Sequence, residues 1–232
     1  MGLKKEWETY RADDRTRRNE SYFGGILHFN CMRCIMNKQI IIEQLTSLSV
    51  KYDLGLDTEI LERIVKLSTF RIVEKSTLIQ HIGEKTNTAA LVLDGITRCY
   101  YIDSDGNDIT RGFSITGTLC MDEGMFGYGE SLTEWETLTD TTLMLFNVGE
   151  IKLLIDENDA LKSAYIQLLE NALKYKIYRE NGFLVESASE RYLHFRKMFP
   201  EICQMVKQQY IATYLGIAPE SLSRIKRTLR EG

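Results

Sequence analysis

The chain has 232 residues with a net charge of −4, of which 44% are hydrophobic and 27% charged, a composition typical of globular proteins. No apolar run approaches the length of a membrane span, and the first residues lack the apolar segment of a secretory signal. Five cysteines at irregular spacing argue against a disulfide framework. These features predict a cytoplasmic protein of one large or two modest domains, with no membrane partner.

The first segment along the chain is a charged N-terminal extension, residues 1–35, which is either a native arm or a product of start-codon choice. Met36 is the predicted start of an effector-type domain that runs to residue 157. This domain opens with apolar residues at helical spacing, among them Ile41 and Leu45, so we expect a helix there.

Residues 68–147 alternate apolar and polar side chains and are rich in Ile, Val, Thr, Tyr and Phe, a pattern that predicts short β-strands. The dipeptides Asp94-Gly95 and Asp105-Gly106 predict hairpin turns, because glycine accepts a positive φ. Their spacing indicates a meander of strands that closes into a β-roll of jelly-roll type. The predicted fold class is therefore α+β.

Residues 158–183 predict a long helix. Apolar side chains recur along it in steps of four and three residues, as in a coiled-coil seam: Leu161, Tyr165, Leu168, Ala172 and Tyr175. This seam predicts a dimerisation helix, although packing against the β-roll of the same chain would produce the same pattern. Gly182 predicts the end of the helix, and Ser187 with Glu190 predicts a capping box for the next one.

The C-terminal segment is basic, whereas the rest of the chain is acidic. From Arg191 to Gly232, eight Lys or Arg residues oppose three Glu, so this segment carries +5 and the preceding 190 residues carry −9. A charge asymmetry of this kind indicates a polyanionic partner at one end of the molecule.

Residues 184–232 contain the pattern of a helix-turn-helix, in the stretch QQYIATYLGIAPESLSRIKRTL that begins at Gln208. Ala212 stands where two helices would cross closely, and Gly216 stands where the turn needs a positive φ. Leu222 and Ile225 are among the apolar positions that pack the two helices together. The residues left on the outer face of the second helix are the predicted DNA-binding residues: Glu220, Ser221, Ser223, Arg224 and Arg227. Pro219 opens this helix without losing a hydrogen bond, and a polar helix start can enter the major groove of double-stranded DNA.

A β-roll, a long helix and a terminal helix-turn-helix ending in LSRIKRTL resemble the Crp/Fnr family of bacterial transcription regulators. The segment GIAPESLSRIKRTL is similar to the recognition-helix signature of that family, and EKSTLIQHIGEK and LVLDGITRCYYIDSDGNDI resemble its β-roll strands. The resemblance covers roughly residues 36–232. It implies a homodimer that reads a near-palindromic DNA site under the control of an unidentified small-molecule effector, and it implies no enzymatic activity.

The sequence departs from the family pattern where cyclic nucleotide is bound. Members that bind it carry a Gly-Glu pair and a later arginine that meets the cyclic phosphate, but Met121-Asp122 stands in place of the pair. No Lys or Arg lies between Arg111 and Lys152, although a phosphate needs a cationic or dipolar host. We therefore expect an effector other than cyclic AMP. Because the chain ends just after the recognition helix, we also expect no β-hairpin wing.

Cys31-x-x-Cys34 precedes the β-roll, and Cys120 lies inside it. The oxygen-sensing branch of the family holds an iron–sulfur cluster with N-terminal cysteines and one from the β-roll, and a set could be drawn from these three with Cys99. The extension has fewer cysteines than that branch uses, and a zinc site would need more ligands than His28 adds. We expect isolated thiols, with no metal and no other cofactor.

Two other functions compete with that of a DNA-binding transcription regulator. An enzyme of cupin type would need clustered histidines at a metal site, and His81 is the only histidine in the predicted barrel. A β-roll that binds a ligand or a protein partner without binding DNA stays open as the alternative. A steep salt dependence of DNA binding would separate the two, because it reports contacts to phosphates.

Overall fold

The structure of the protein, a computed structural model, describes residues 38–231. Its α-helices are α1 (Lys38–Lys51), α2 (Thr58–Lys66), α3 (Val148–Glu157), α4 (Asp159–Val185), α5 (Ala188–Met198), α6 (Ile202–Met205), α7 (Gln208–Tyr214) and α8 (Pro219–Glu231). Its β-strands are β1 (Ser68–Val73), β2 (Leu78–Gln80), β3 (Thr88–Asp94), β4 (Ile96–Ile102), β5 (Asp108–Ile115), β6 (Leu119–Cys120), β7 (Glu134–Thr137) and β8 (Thr141–Asn147). A short 3₁₀ helix, Glu123–Phe126, lies between β6 and β7.

The strands form a β-roll of two four-stranded antiparallel sheets, ordered β1-β8-β3-β6 and β2-β7-β4-β5. The sheets enclose an apolar core in which Val92, Cys120 and Leu143 have no exposed surface. The predicted α+β class and β-roll are therefore confirmed. The strand order is not that of a meander, since most neighbouring strands are not consecutive in the chain.

The two predicted hairpin turns differ in outcome. Asp105-Gly106 joins the paired strands β4 and β5, and Gly106 has a φ of +81°. The hairpin predicted at Asp94-Gly95 is wrong, because β3 and β4 belong to different sheets. Gly95 has a φ of +100°, and a Cβ there would lie 2.6 Å from the backbone oxygen of Asp140. The glycine is thus needed where the chain crosses closely over another segment between the two sheets.

Helices α1, α2 and α3 cover one side of the roll. Their apolar faces form a shared core with strand residues, and this core contains Ile41, Ile60, Phe146, Ile151 and Leu161. Because Leu161 belongs to α4, the same core fixes the start of the long helix against the roll.

The long helix α4 begins at an N-cap and ends beyond the predicted glycine. The side chain of Asn158 accepts a hydrogen bond from the backbone N–H of Leu161, at 2.8 Å. Gly182 lies buried inside the helix, so the end predicted there is wrong; the backbone becomes extended only at Glu186. The capping box of Ser187 and Glu190 then starts α5 and is confirmed. Among the helices of residues 38–231, none is long and apolar enough to cross a membrane.

Helices α5 to α8 build a second core against the sheet that contains β4. This core joins Ile96 and Leu138 of the roll to residues of the C-terminal helices, including Phe195, Ile211 and Leu222. The C-terminal helices therefore pack directly on the roll, and this contact positions the site described next.

Candidate nucleic-acid interface

Helices α7 and α8 form a helix-turn-helix around Gly216. The φ of Gly216 is +68°, and a Cβ there would lie 3.0 Å from the ring of Phe183 in α4. The backbone N–H of Ile217 donates to the carbonyl of Ala212 at 3.0 Å, which closes the end of α7. A non-glycine residue would be strained here both by the left-handed backbone and by the aromatic neighbour.

The two helices cross through small and apolar side chains. Ala212 of α7 and Leu222 of α8 have no exposed surface, and Ile225 packs beside them half-buried. Pro219 is the first residue of α8, where a missing N–H leaves no hydrogen bond unmade. The inner, apolar face of α8 is therefore packed against α7.

The outer face of α8 carries the polar residues singled out from the sequence. Glu220, Ser223, Arg224 and Arg227 are exposed, and Ser221 is half-buried. Glu220 and Arg224 are four residues apart and share one side of the helix. The guanidinium of Arg224 donates to Ser221 Oγ at 3.4 Å, so the serine restrains the arginine near the start of α8. An exposed helix start with this chemistry fits the edges of base pairs and the flanking phosphates.

The predicted seam of α4 faces its own chain at both ends. Leu161 is buried in the core of the roll, and the Tyr165 hydroxyl donates to the carbonyl of Met125 at 3.0 Å. The hydroxyl of Tyr175 hydrogen-bonds that of Tyr214 in α7. Leu168 and Ala172, in the middle of the helix, are exposed.

A second apolar stripe of α4 lies open, and sequence reasoning missed it. Its large side chains are between 49% and 76% exposed: Ile166, Leu173, Ile177 and Leu184. They recur at helical spacing, about two fifths of a turn away from the predicted seam. The signal was present in the sequence, but both stripes recur at helical spacing, and the periodicity alone gave no reason to prefer the second.

Solved structures resemble this architecture, whereas no family model and no curated protein sequence matches the chain. The c-di-GMP-responsive global regulator CLP of Xanthomonas campestris aligns with a TM-score of 0.61 and 17% identity, over 75% of this chain and 92% of CLP. FixK2 of Bradyrhizobium japonicum aligns with a TM-score of 0.60 and 19% identity, over 71% and 85% of the two chains. The catabolite activator protein of Thermus thermophilus aligns with a TM-score of 0.50 and 19% identity, over 76% and 85%. The chain has the fold of the Crp/Fnr regulators.

Within this Crp/Fnr fold, the segment expected to hold a cyclic nucleotide is acidic and internally bonded. The buried carboxylate of Glu123 accepts hydrogen bonds from Ser131 Oγ at 2.6 Å, from Thr133 Oγ1 at 3.1 Å and from the backbone N–H of Leu132 at 3.3 Å. The guanidinium of Arg111 lies 3.6 Å from the same carboxylate. The cation nearest to Glu123 is therefore already paired with it.

Asp122 adds a second carboxyl group beside this network. Its Oδ1 is buried and has no hydrogen-bond partner. Burial raises the pKa of Asp122, while the positive charges of Arg111 and Lys176 act in the opposite direction. An anionic phosphate would meet two acidic groups at this place in the fold.

The cysteines of the β-roll are separate buried thiols. Cys120 has no exposed surface, and burial raises its pKa strongly. Burial likewise raises the pKa of Cys99 to about 12. Both groups stay protonated at neutral pH, which disfavours metal ligation and redox chemistry. Cys31 and Cys34 lie outside the described residues; among residues 38–231, no three His, Cys, Asp or Glu side chains cluster as metal ligands would.

Proposed function

We propose that the protein is a cytoplasmic, sequence-specific DNA-binding transcription regulator whose helix α8 enters the major groove. The observation that carries the proposal is the division of α8 into two faces. Leu222 is buried against α7, while Glu220 and Arg224 project outward together. A fold shared with Crp/Fnr regulators supports the same assignment.

The outer face divides into base-reading and phosphate-binding residues. Arg224 donates two hydrogen bonds to guanine O6 and N7, and Glu220 accepts one from cytosine N4. Ser221 and Arg227 bind phosphates, with Ser223 on the same polar face. The contact between Arg224 and Ser221, at 3.4 Å, holds the guanidinium near the start of α8, and a restrained side chain loses less freedom on binding.

The DNA-binding form is a homodimer, in which a second copy covers the open stripe of α4. Ile166, Leu173, Ile177 and Leu184 are exposed in the single chain and lie on one side of a 27-residue helix. Two such helices bury each other's stripes when they pack side by side. The assignment moves the interface away from Leu161, Tyr165 and Tyr175, whose side chains contact their own chain.

The proposed division places the effector domain at residues 36–157, the dimerisation helix at 158–183 and the DNA-binding domain at 184–232. The effector is a small molecule other than cyclic AMP, because the segment expected to hold the cyclic phosphate carries the carboxyl groups of Asp122 and Glu123, and Arg111 is already paired with Glu123. Addition of cyclic AMP should leave both the melting temperature and the DNA affinity unchanged. A rise in melting temperature at micromolar nucleotide would contradict this, since a ligand of the folded state stabilises it.

The test is DNA binding measured by fluorescence anisotropy between 50 and 200 mM salt, on a duplex obtained by binding-site selection. The wild type should show a steep linear fall of log affinity with log salt. Arg227→Ala should reduce that slope by about one unit per half-site. Arg71→Ala, which removes an exposed arginine of β1, is the matched control and should change nothing. If binding-site selection enriches no sequence and the DNA affinity does not depend on salt concentration, the protein is instead an effector-binding or protein-interaction module.

A further inference from the structure

Arg98 in β4 is the largest fully buried side chain of the described residues, with 1% of its surface exposed. Its Nε lies 2.7 Å from a carboxylate oxygen of Glu136, and one terminal nitrogen lies 2.6 Å from Asp108. The other terminal nitrogen donates to Thr110 Oγ1 at 3.2 Å. All three partners belong to β5 and β7, the strands that flank β4.

The helix-turn-helix covers this buried cation. The guanidinium carbon lies 3.5 Å from the ring centre of Tyr210 in α7 and 4.1 Å from that of Tyr100 in β4. The cation is therefore held between two aromatic faces, one from the roll and one from the DNA-binding helices. A cation–π contact of this kind is strongest when water is excluded.

A second contact fixes α7 to the roll at the neighbouring residues. Thr213 Oγ1 lies 2.9 Å from Thr110 Oγ1, and the backbone N–H of Thr110 donates to Thr213 Oγ1 at 3.2 Å. Thr110 bonds both Arg98 and Thr213, so the two contacts form one connected network. The orientation of α7 on the roll is thus set by directional polar contacts as well as by apolar packing.

We propose that Arg98 is a positioning residue for DNA recognition, which holds α7 on the β-roll and so fixes where α8 is presented. This inference rests on the proposed function. Glu220 and Arg224 are exposed in the docked arrangement, so docking leaves the reading face free. A dimer that binds two half-sites needs its two recognition helices at a fixed separation. A loosely tethered helix-turn-helix would lose that selectivity for spacing.

The experiment compares duplexes in which the distance between the two half-sites is varied by one or two base pairs. The wild type should show one sharp optimum. Arg98→Met and Tyr210→Ala should each lower the affinity at the optimum by about tenfold, because they remove the cation–π contact. Both should also flatten the dependence on spacing, which a general loss of stability would not do.

Two controls separate positioning from unfolding. Tyr210→Phe keeps the aromatic ring and should retain the wild-type spacing profile. Arg63→Met removes an exposed arginine that is 3.1 Å from Glu157 and should also leave the profile unchanged. Wild-type affinity and a sharp optimum in both Arg98→Met and Tyr210→Ala would overturn the inference. Tyr210→Ala tests the same contact if Arg98→Met does not fold.

A tether tests whether the docked arrangement is the one that binds DNA. The side chains of Thr110 and Thr213 are in contact, with their hydroxyl oxygens 2.9 Å apart, so this pair is chosen for a disulfide between the roll and α7. The oxidised double variant, Thr110→Cys with Thr213→Cys, should bind the selected duplex as tightly as its reduced form. Loss of binding on oxidation would overturn the inference. Absence of specific binding by the wild type would instead refute the proposed function, while the disulfide would still report that α7 is docked.

Discussion

Helices α8 and α4 both carry apolar residues at helical spacing, yet only α8 has a single apolar face. In α8, Leu222 is buried and Ile225 half-buried, while Glu220 and Arg224 are exposed opposite them. In α4, Leu161 is buried against the roll and Leu173 is 58% exposed, although both look alike in the sequence. Periodicity identifies the functional face of a helix only where the helix has one apolar stripe.

The difference follows from what each helix contacts. α8 has 13 residues and packs on α7 and α5. α4 has 27 residues, about 40 Å at 1.5 Å per residue, and runs past the roll before it reaches the helix-turn-helix. Tyr165 contacts Met125 near the roll, and Arg179 donates to the carbonyl of Tyr214 at the other end. Because α4 contacts the roll along one part of its length and the helix-turn-helix along another, its contact residues lie on several sides of the helix. Its apolar residues therefore do not form a single face.

The largest effect is expected from a charge introduced into the exposed apolar stripe of α4. Leu173→Glu should yield monomers, because a dimer would have to bury the new charge. Affinity for a two-half-site duplex should fall roughly 100-fold or more once the half-sites are bound independently. Sedimentation equilibrium and anisotropy titration measure the two quantities.

The matched variant is Leu168→Glu, which places the same charge on the other stripe at a residue that is 39% exposed. This variant should stay dimeric if the open stripe is the interface. Monomers from Leu168→Glu together with dimers from Leu173→Glu would restore the interface predicted from the seam.

The next effect concerns base reading by α8. Arg224→Ala should cost about 1–3 kcal/mol at the selected site and relax the preference at one base pair in each half-site. Glu220→Ala should loosen specificity while leaving or raising non-specific affinity, because it removes a negative charge near phosphates. Binding-site selection on the two variants checks both outcomes; unchanged base preferences would mean that α8 contacts only the DNA backbone.

A smaller effect is expected where α4 touches the turn of the helix-turn-helix. Gly216→Ala should lower the free energy of unfolding by about 1–2 kcal/mol from its left-handed backbone, and the contact with Phe183 should add to this. Gly106→Ala is the control, because Gly106 also has a positive φ, +81°, but a Cβ at this position would have no neighbouring atom within 4 Å. Thermal unfolding of both variants, and of Gly216→Ala combined with Phe183→Ala, should show the excess loss disappear when the ring is removed.

The smallest effect is expected at Asp122, which lies in the β-roll between β6 and the 3₁₀ helix. Asp122→Asn should stabilise the protein by about 1 kcal/mol at pH 7, because Oδ1 of the Asp122 carboxylate is buried without a hydrogen-bond partner, which is costly. Burial raises the pKa of Asp122 above its ordinary value of 3.8, so the wild type is relatively most stable below pH 3.8 and loses this advantage as the pH rises. The difference between variant and wild type should therefore grow from acidic to neutral pH in thermal melts. A difference that is constant with pH would mean that Asp122 does not titrate differently in the folded state.

Some features of the site were predictable because they depend on residues close together in the chain. The capping box of Ser187 and Glu190, the left-handed turn at Gly216 and the start of α8 at Pro219 each depend on a few neighbouring residues. The β-roll itself was predictable from alternating strands. The turn at Gly95 was not, because its close neighbour Asp140 is distant in the sequence.

The sequence by itself determined the fold class, the helix-turn-helix and the polar face of α8, since local spacing and turn chemistry specify all three. Only the tertiary structure decided which apolar stripe of α4 is exposed to solvent and which buried arginine holds α7 on the roll. Arg98 illustrates the reason: its partners Asp108, Glu136 and Tyr210 come from three separate segments. A contact that combines strands and a distant helix leaves no periodic signal, because it exists only after the chain has folded.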